Sequence, residues 1–286
     1  MRNIPKYLFI LSLIFLISAC GEATLLPPTA SPTIDLTLTP RPSLTATSTT
    51  TPPMPETPGQ HPHTSQVVIR IGDTLTQTET IRYLIYLPAD YGKDPTKKWP
   101  FILYLHGSGE RGSDLSLLLK QPLPKILQNR GDFPFIVVSP QLAENYDDWS
   151  IMIKPQDALI DQLLSIYAID PQRLYLTGVS IGGFGAWNYA LRYPQRFAAI
   201  VPIAGGYIYH NYEIPANLCD LKDLPVWAFH GALDEVVLPW QSQSLVEALK
   251  SCGGIVSYSE YSDLEHNVCD RVYALPELYE WMLSYP

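Results

Sequence analysis

The sequence predicts an α/β fold in which a mostly parallel central sheet of about eight strands has helices on both faces. Two observations indicate this class. Short apolar runs typical of strands recur along residues 65–286, and segments with helical spacing of apolar side chains lie between them. Strands that alternate with helices build parallel sheets, which carry their chemistry at the carboxyl ends of the strands.

Eight segments have the composition of strands. Residues 100–105 are almost wholly apolar, as expected for a strand that is buried on both faces. The expected strands are 67–71, 80–87, 100–105, 135–139, 173–177, 197–203, 226–229 and 255–261. Helices are expected from Pro155 to about Tyr167, because apolar side chains recur there every three to four residues, and over 181–192, 240–251 and 276–284.

Residues 1–20 have the composition of an export signal. Arg2 and Lys6 precede an apolar run over residues 7–17, which is shorter than the roughly 20 residues that cross a bilayer. The segment that ends at Cys20 resembles the bacterial lipoprotein signal, in which the cysteine is lipidated. We therefore expect an extracytoplasmic protein that is anchored to a membrane through Cys20, with an ordinary secretory peptide as the alternative.

A proline- and threonine-rich stretch follows the signal. Pro, Thr and Ser make up 25 of the 41 residues from 24 to 64, and no aromatic residue occurs among them. Such a segment buries too little apolar area to offset its ordering entropy. The sequence predicts a disordered linker over residues 21–64 and a folded domain over residues 65–286.

The charge and cysteine content of that domain exclude several functions. It has 16 basic and 25 acidic side chains, an acidic balance that does not suit nucleic acid or an anionic lipid surface. Cys219, Cys252 and Cys269 lack the spacing of a metal site, so neither a metal nor a cofactor is expected. They could form one disulfide and leave one free thiol, and the spacing does not indicate the pairing. Nothing in the sequence indicates an oligomeric state.

A candidate nucleophile lies where an expected strand meets an expected helix. Residues 178–182 read Gly-Val-Ser-Ile-Gly. A sharp turn between strand and helix exposes a serine hydroxyl, and glycines on either side remove side chains where the two elements crowd. The sequence therefore predicts Ser180 as a nucleophile.

The remaining members of a triad would follow the serine in the order acid, then histidine. Asp234 lies in the loop after the strand at 226–229, and its neighbour Glu235 is the competing acid. Of the six histidines in the chain, His266 alone follows this acid. Because serine needs a base and the base needs an orienting acid, we expect Asp234 and His266 to serve Ser180.

An oxyanion needs hydrogen-bond donors, and a glycine-rich loop follows the strand at 100–105. The backbone N–H groups of Ser108 and Ile181 are the expected donors. Gly107 and Gly109 of the same loop are expected to line the substrate pocket.

Five motifs together resemble the α/β-hydrolase superfamily: residues 104–112, 178–183, 230–237, 265–267 and 276–281. Within it they are similar to the bacterial phospholipase/carboxylesterase proteins that are related to dienelactone hydrolases and are often labelled predicted peptidases. The resemblance implies an α/β-hydrolase fold, an ester substrate, and Ser180, Asp234 and His266 as the triad. Those relatives often have an aromatic residue shortly after the catalytic His-Asn pair, where this chain has Val268 and Cys269.

About twenty residues separate the strands at 197–203 and 226–229, which is too few for a large cap domain. An open site of this kind favours soluble, aryl or carbohydrate esters, or the ends of polymer chains. Trp149 and Tyr207 could provide an aromatic platform there or simply pack in the fold. A serine peptidase of related fold is the alternative enzyme, and an inactive surface binding protein on a hydrolase scaffold is the alternative of another class.

Overall fold

One sheet of eight strands organises the computed structural model, which describes residues 57–71, 75–208 and 213–286. Its strands are β1 (Gly59–Ile71), β2 (Leu75–Leu87), β3 (Trp99–Leu105), β4 (Ile136–Gln141), β5 (Ile169–Val179), β6 (Ala199–Ile203), β7 (Val226–Gly231) and β8 (Val256–Tyr261). The helices are α1 (Pro122–Leu127), α2 (Ile153–Ile166), α3 (Ile181–Arg192), α4 (Trp240–Ser251), α5 (Cys269–Tyr273) and α6 (Pro276–Leu283).

The strands follow the spatial order β1-β2-β4-β3-β5-β6-β7-β8. β2 pairs antiparallel with both β1 and β4, and every other neighbouring pair is parallel. The carboxyl ends of β3 to β8 therefore meet at one edge of the sheet, hereafter the carboxyl edge. This arrangement confirms the predicted α/β-hydrolase class.

Alternate residues of the central strands face two separate apolar cores. On β3, Phe101 and Leu103 belong to one core, and Ile102 and Tyr104 belong to the other. The first core includes buried side chains of α2, α3 and α4, and the second includes those of α1, α5 and α6. Helices on both faces explain why β3 is apolar at successive positions, since neither of its faces meets water.

The boundary predicted between linker and domain is wrong by several residues. β1 begins at Gly59, where it pairs with Leu87, so residues 59–64 belong to the sheet and not to the linker that was expected to end at Thr64. Pro62 is tolerated because β1 is an edge strand. The predicted signal peptide, Cys20 and the linker up to residue 56 lie outside the described residues.

Two short helices, α1 and α5, have no counterpart in the sequence-based expectation. They contain only six and five residues, too few to show a helical period. The helices over Ile181–Arg192 and Trp240–Ser251 begin and end as predicted.

The cysteines divide into one bonded pair and one thiol. Cys219 lies in a short 3-10 helix (Leu218–Leu221) between β6 and β7, and it forms a disulfide with Cys252 at the end of α4. Cys269 is free and buried. Among the described residues, no helix has both the length and the hydropathy needed to span a bilayer.

Candidate active site

Ser180 occupies a sharp turn between β5 and α3 at the carboxyl edge of the sheet. Its φ of 57° lies in the left-handed region, which costs a residue with a side chain about 1–3 kcal/mol. The Ser180 N–H donates to the Ile203 carbonyl oxygen at 3.0 Å, which ties the turn to the end of β6. The surrounding sheet therefore holds this serine in a conformation that a free chain would avoid.

Glycines make this turn sterically feasible. A Cβ at position 178 would lie 2.3 Å from the Gly182 carbonyl oxygen, and a Cβ at position 182 would lie 2.1 Å from that of Leu105. Both distances are far below contact, so the strand and the helix can approach only because these side chains are absent. The predicted role of Gly178 and Gly182 in the turn therefore has a direct steric basis.

Asp234 lies in the loop between β7 and α4, and its side chain is fully buried. Its Oδ1 accepts hydrogen bonds from the Val236 N–H and the Val237 N–H, each at 2.9 Å. These two bonds fix the carboxylate plane and leave Oδ2 to other partners. Glu235, the competing acid, is exposed.

His266 connects the acid to the serine. Its Nδ1 lies 2.7 Å from Asp234 Oδ2, and its Nε2 lies 2.9 Å from Ser180 Oγ. A carboxylate oxygen only accepts, so Nδ1 carries the proton, and Nε2 of the neutral ring is left to accept from the serine hydroxyl. The structure thus brings together the three residues that the sequence singled out, with Ser180 9% exposed and the His266 side chain 28% exposed.

Asp234 also contacts a second histidine that the sequence did not assign. His230, at the end of β7, is completely buried, and its Nε2 lies 3.2 Å from Asp234 Oδ2. Burial would raise the pKa of Asp234, but hydrogen bonds from His230 and His266 and from the Val237 N–H outweigh it and hold the pKa well below its usual value. The acid is therefore ionised throughout the neutral range.

The loop after β3 approaches the serine from the opposite side. A Cβ at Gly107 would lie 3.7 Å from the Ser180 Cβ, so this glycine borders the nucleophile as expected. Burial raises the pKa of the neighbouring Glu110. The Ser108 N–H, which follows Gly107 in this loop, remains the predicted donor to an oxyanion.

Ile181 is the first residue of α3, and the first N–H groups of an α-helix have no partner within the helix. Its N–H follows the nucleophile directly, and the positive end of the helix dipole favours negative charge there. Ser108 lies in a 3-10 helix over Ser108–Glu110 and is exposed. Gly109, in the same turn, has no atom within 4 Å of a Cβ built on it, so it leaves open space.

The proposed pocket role of Trp149 is wrong. Its side chain is 1% exposed, its Nε1 donates to the His106 carbonyl oxygen at 3.0 Å, and its ring stands edge-on to that of His106. This tryptophan supports the loop from beneath and offers no face to a substrate. Tyr207 is half-buried against the core, and its carbonyl oxygen accepts from Asn188 Nδ2.

His106 is the buried support of the same loop. Its Nδ1 donates to the Gly107 carbonyl oxygen at 2.5 Å, and its Nε2 accepts from the Leu142 N–H at 2.9 Å. Burial lowers its pKa to about 4, so the ring is neutral at physiological pH. Sequence reasoning missed this role, although the His-Gly pair that ends β3 is repeated by His230 and Gly231 at the end of β7.

Metal ligation has no candidate residues in the described part of the chain. No group of three or more His, Cys, Asp or Glu side chains is arranged there to hold an ion.

Comparison with known proteins places the chain among esterases. A family model described as phospholipase/carboxylesterase matches residues 133–275, half of the chain. Carboxylesterase SOBER1 of Arabidopsis thaliana is 26% identical over 199 residues, which cover 60% of this chain and 85% of that protein. Poly(3-hydroxyalkanoate) depolymerase C of Paucimonas lemoignei is 44% identical over 141 residues, which cover 40% of this chain and only 34% of the depolymerase.

Among solved structures, a thermostable esterase superposes with a TM-score of 0.60 and 29% identity. The superposition covers 77% of this chain and 63% of the esterase, so the two share the hydrolase core and differ outside it. The family match, the eight-stranded sheet and the serine turn agree, and the chain belongs to the phospholipase/carboxylesterase family of α/β-hydrolases as a carboxylesterase-type enzyme.

Proposed function

We propose that the protein hydrolyses carboxylic esters through an acyl-enzyme on Ser180, with His266 as the base and Asp234 as the orienting acid. One observation carries the proposal: a continuous hydrogen-bond chain from Ser180 Oγ through the His266 ring to Asp234 Oδ2, with contacts of 2.9 and 2.7 Å. Each link has the polarity that the reaction needs, because the acid accepts from Nδ1 and leaves Nε2 free to take a proton.

In the first half of the reaction, Ser180 Oγ attacks the ester carbonyl carbon while its proton passes to His266 Nε2. The oxyanion of the tetrahedral intermediate accepts from the N–H groups of Ser108 and Ile181. The C–O bond to the alcohol then breaks, and His266 returns the proton to the leaving oxygen. In the second half, water gives its proton to the same nitrogen and attacks the acyl-enzyme, which releases the acid and restores the serine.

The substrates that we propose are soluble, aryl or carbohydrate esters and the ends of polyester chains. The connection between β6 and β7 occupies only residues 204–225, part of which is the 3-10 helix over Leu218–Leu221, so a large cap has no room there. The 44% identity to a depolymerase over 141 residues supports a polymeric ester as one substrate. The exposed Leu233, Val236 and Leu238 flank Asp234 and give this side of the site an apolar character.

The protein is proposed to act outside the cytoplasm, anchored through lipid on Cys20. The signal-like N-terminus supports export, and the disulfide between Cys219 and Cys252 supports an oxidising compartment, since such bonds rarely persist in the cytosol. Globomycin, which blocks lipoprotein signal cleavage, should leave a larger precursor in cells that express the full chain. Cys20→Ser cannot be lipidated, so its processing should not respond to globomycin; a globomycin-dependent precursor in Cys20→Ser would remove the anchor from the proposal.

A fluorophosphonate probe tests the nucleophile. We expect the full chain to be labelled and to hydrolyse p-nitrophenyl acetate, and Ser180→Ala to lose both. Ser108→Ala is a matched control, because it removes another hydroxyl at the site and keeps the backbone N–H. Labelling that survives in Ser180→Ala would overturn the assignment, absence of labelling in the wild type would favour an inactive binding scaffold, and turnover of peptide anilides would favour a peptidase.

A further inference from the structure

Asp234 is shared by two imidazoles, whereas the proposed ester hydrolysis uses only one. His266 Nδ1 and His230 Nε2 both reach Asp234 Oδ2, at 2.7 and 3.2 Å. The His266 side chain is 28% exposed and can reach the serine, but the His230 side chain is fully buried and cannot meet a substrate. Any effect of His230 on the reaction therefore has to pass through Asp234.

The surroundings of His230 determine how many protons its ring carries. On one side, Nε2 faces two acceptors, Asp234 Oδ2 at 3.2 Å and the Val237 carbonyl oxygen at 2.8 Å. Neither oxygen has a proton to give, because Asp234 is ionised and a carbonyl only accepts. The Nε2 atom must therefore carry a proton.

The other ring nitrogen faces a hydroxyl whose single proton is already used. His230 Nδ1 lies 2.8 Å from Ser242 Oγ, and that oxygen lies 2.7 Å from the Gly205 carbonyl oxygen. Two oxygens at 2.7 Å need a proton between them, and only the Ser242 hydroxyl can supply it. Ser242 Oγ then has only lone pairs to offer to His230, so Nδ1 must also carry a proton.

From this count of protons we propose that His230 is a buried imidazolium that positions Asp234. Its positive charge also opposes a proton on His266, so His266 stays unprotonated at a lower pH than it would in a triad without a second histidine. The inference rests on the proposed triad. The two nitrogens that contact Asp234 Oδ2 are within about 6 Å of each other. A fixed positive charge at that distance opposes a second one on His266, and Asp234 attracts both.

Other titratable groups near His230 are already engaged. Glu260 on β8 is in register with His230, and its carboxylate accepts from Gln243 Nε2 and from the Tyr258 hydroxyl, each at 2.7 Å. From α4 the ring meets Ser242, and from the end of β6 the chain of bonds ends on the Gly205 carbonyl oxygen. Asp234 is thus the carboxylate that balances the charge of His230.

A suitable substitution of His230 removes its positive charge and keeps its hydrogen bond to Asp234. In His230→Gln the amide Nε2 can still donate toward Asp234, but the positive charge is lost. We expect the acid limb of the kcat/KM profile to move to higher pH by roughly one to two units, with KM at the pH optimum little changed. A purely structural histidine would leave the limb in place, and that result would overturn the proposal.

His61→Gln is the matched control, since it removes a histidine of the edge strand β1 that bonds only the Thr57 carbonyl oxygen among its described contacts. Its pH profile should match that of the wild type. If His230→Gln does not fold, Ser242→Ala serves instead: it removes the acceptor of the Nδ1 proton, weakens the imidazolium, and should move the acid limb in the same direction by a smaller amount. An unmoved limb in a folded Ser242→Ala would likewise count against the charge.

The protonation state can be observed without catalysis. In the full chain labelled with ¹⁵N-histidine, proton–nitrogen correlation spectra at pH 7 should show one ring with both nitrogens protonated, and its signals should be absent in His230→Gln or shifted in Ser242→Ala. A neutral ring at this position would overturn the proposal. Since this readout does not need turnover, an imidazolium found in a chain that fails to hydrolyse esters would count against the proposed triad alone.

Discussion

At the scale of single residues, the site combines one strained backbone with two histidines of opposite character. Ser180 is held at a φ of 57°, His106 is buried and neutral beneath the loop after β3, and His230 is buried beside a carboxylate. Burial disfavours a charged imidazole unless a counter-charge is adjacent, so the neighbours decide which ring carries a charge. For His106 the Leu142 N–H donates to Nε2 and Glu110 Oε2 lies 3.9 Å from Nδ1, whereas for His230 the Asp234 Oδ2 atom lies 3.2 Å from Nε2.

The first prediction concerns the Asp234 carboxylate. Asp234→Asn keeps the shape of the side chain but cannot hold the His266 Nδ1 proton by charge, so kcat should fall by about 10⁴. Glu235→Gln removes a neighbouring exposed carboxylate and should leave kcat within a few fold. Steady-state hydrolysis of p-nitrophenyl acetate by both variants measures the contrast, and near-normal turnover by Asp234→Asn would move the acid role to Glu235.

The buried His106 predicts an acid-sensitive fold. Its pKa is about 4 in the folded chain against 6.5 in the unfolded chain, so the unfolded chain binds the proton first as pH falls. The free energy of unfolding should therefore decline between pH 6.5 and pH 4, by up to about 3 kcal/mol from this residue. Urea titrations at several pH values measure the slope. His106→Asn, which can still donate to Gly107, should flatten it, and an unchanged slope would assign the acid sensitivity to other groups.

At the scale of elements, the close approach of β3, β5 and α3 positions the nucleophile. Gly178 of β5 touches the backbone of α3, and Gly182 of α3 touches the end of β3, so the three elements meet without intervening side chains. The connection from β7 to α4 brings Asp234 to the carboxyl edge, and the connection from β8 to α5 brings His266. Each functional group is thus set by the end of a different strand.

A methyl group at the crossing should separate these elements. In Gly178→Ala the new Cβ would lie 2.3 Å from the Gly182 carbonyl oxygen, so the strand and the helix must move apart. We expect a loss of at least about 3 kcal/mol in the free energy of unfolding together with loss of activity. Gly131→Ala is the control, because its Cβ meets only the Ala89 side chain at 3.8 Å. Thermal unfolding of both variants decides, and equal midpoints would show that the crossing can relax.

At the scale of the whole molecule, a disulfide joins the β6–β7 connection to the end of α4, and both segments contribute side chains to the first apolar core. The disulfide closes a loop with a sequence separation of 33, from the β6–β7 connection to the end of α4. A loop of that length contributes about 3–4 kcal/mol by restricting the unfolded chain. Cys269 lies buried in the second core and contributes as an apolar side chain.

Removal of this link gives a prediction for global stability. Cys252→Ser should lower the free energy of unfolding by about 3–4 kcal/mol and leave the site geometry unchanged, since neither cysteine contacts the triad. Dithiothreitol should reproduce the loss in the wild type and have no effect on the variant. If reductant lowers the stability of Cys252→Ser as well, the disulfide is not the origin of the effect.

The sequence was sufficient for features that depend on local pattern. The turn around Ser180, and the order of Asp234 and His266 along the chain, follow from short motifs at strand ends, and the structure brings these side chains together. The helix over Ile181–Arg192 was equally clear, since its apolar side chains repeat with helical spacing.

Features that depend on tertiary contact were beyond the sequence. The protonation of His230 depends on its hydrogen bond to Ser242 and on the bond from Ser242 to the Gly205 carbonyl oxygen, and both residues are distant from His230 in the chain. The pairing of Cys219 with Cys252 depends on where α4 ends in space. β1 was partly hidden because Pro62 and Thr64 resemble the linker in composition, and its first residue, Gly59, pairs with the last residue of β2, Leu87.

The direction of β1 determines where the chain enters the catalytic domain. β1 runs parallel to β3–β8, and Gly59 pairs with Leu87 beside the start of β4. The polypeptide therefore enters the sheet at the amino ends of the parallel strands, opposite the carboxyl edge that holds Ser180. Four strand spacings, about 19 Å, also separate β1 from β5 across the sheet. The point where the chain joins the catalytic domain therefore lies away from the nucleophile, and a substrate that approaches Ser180 does not pass it.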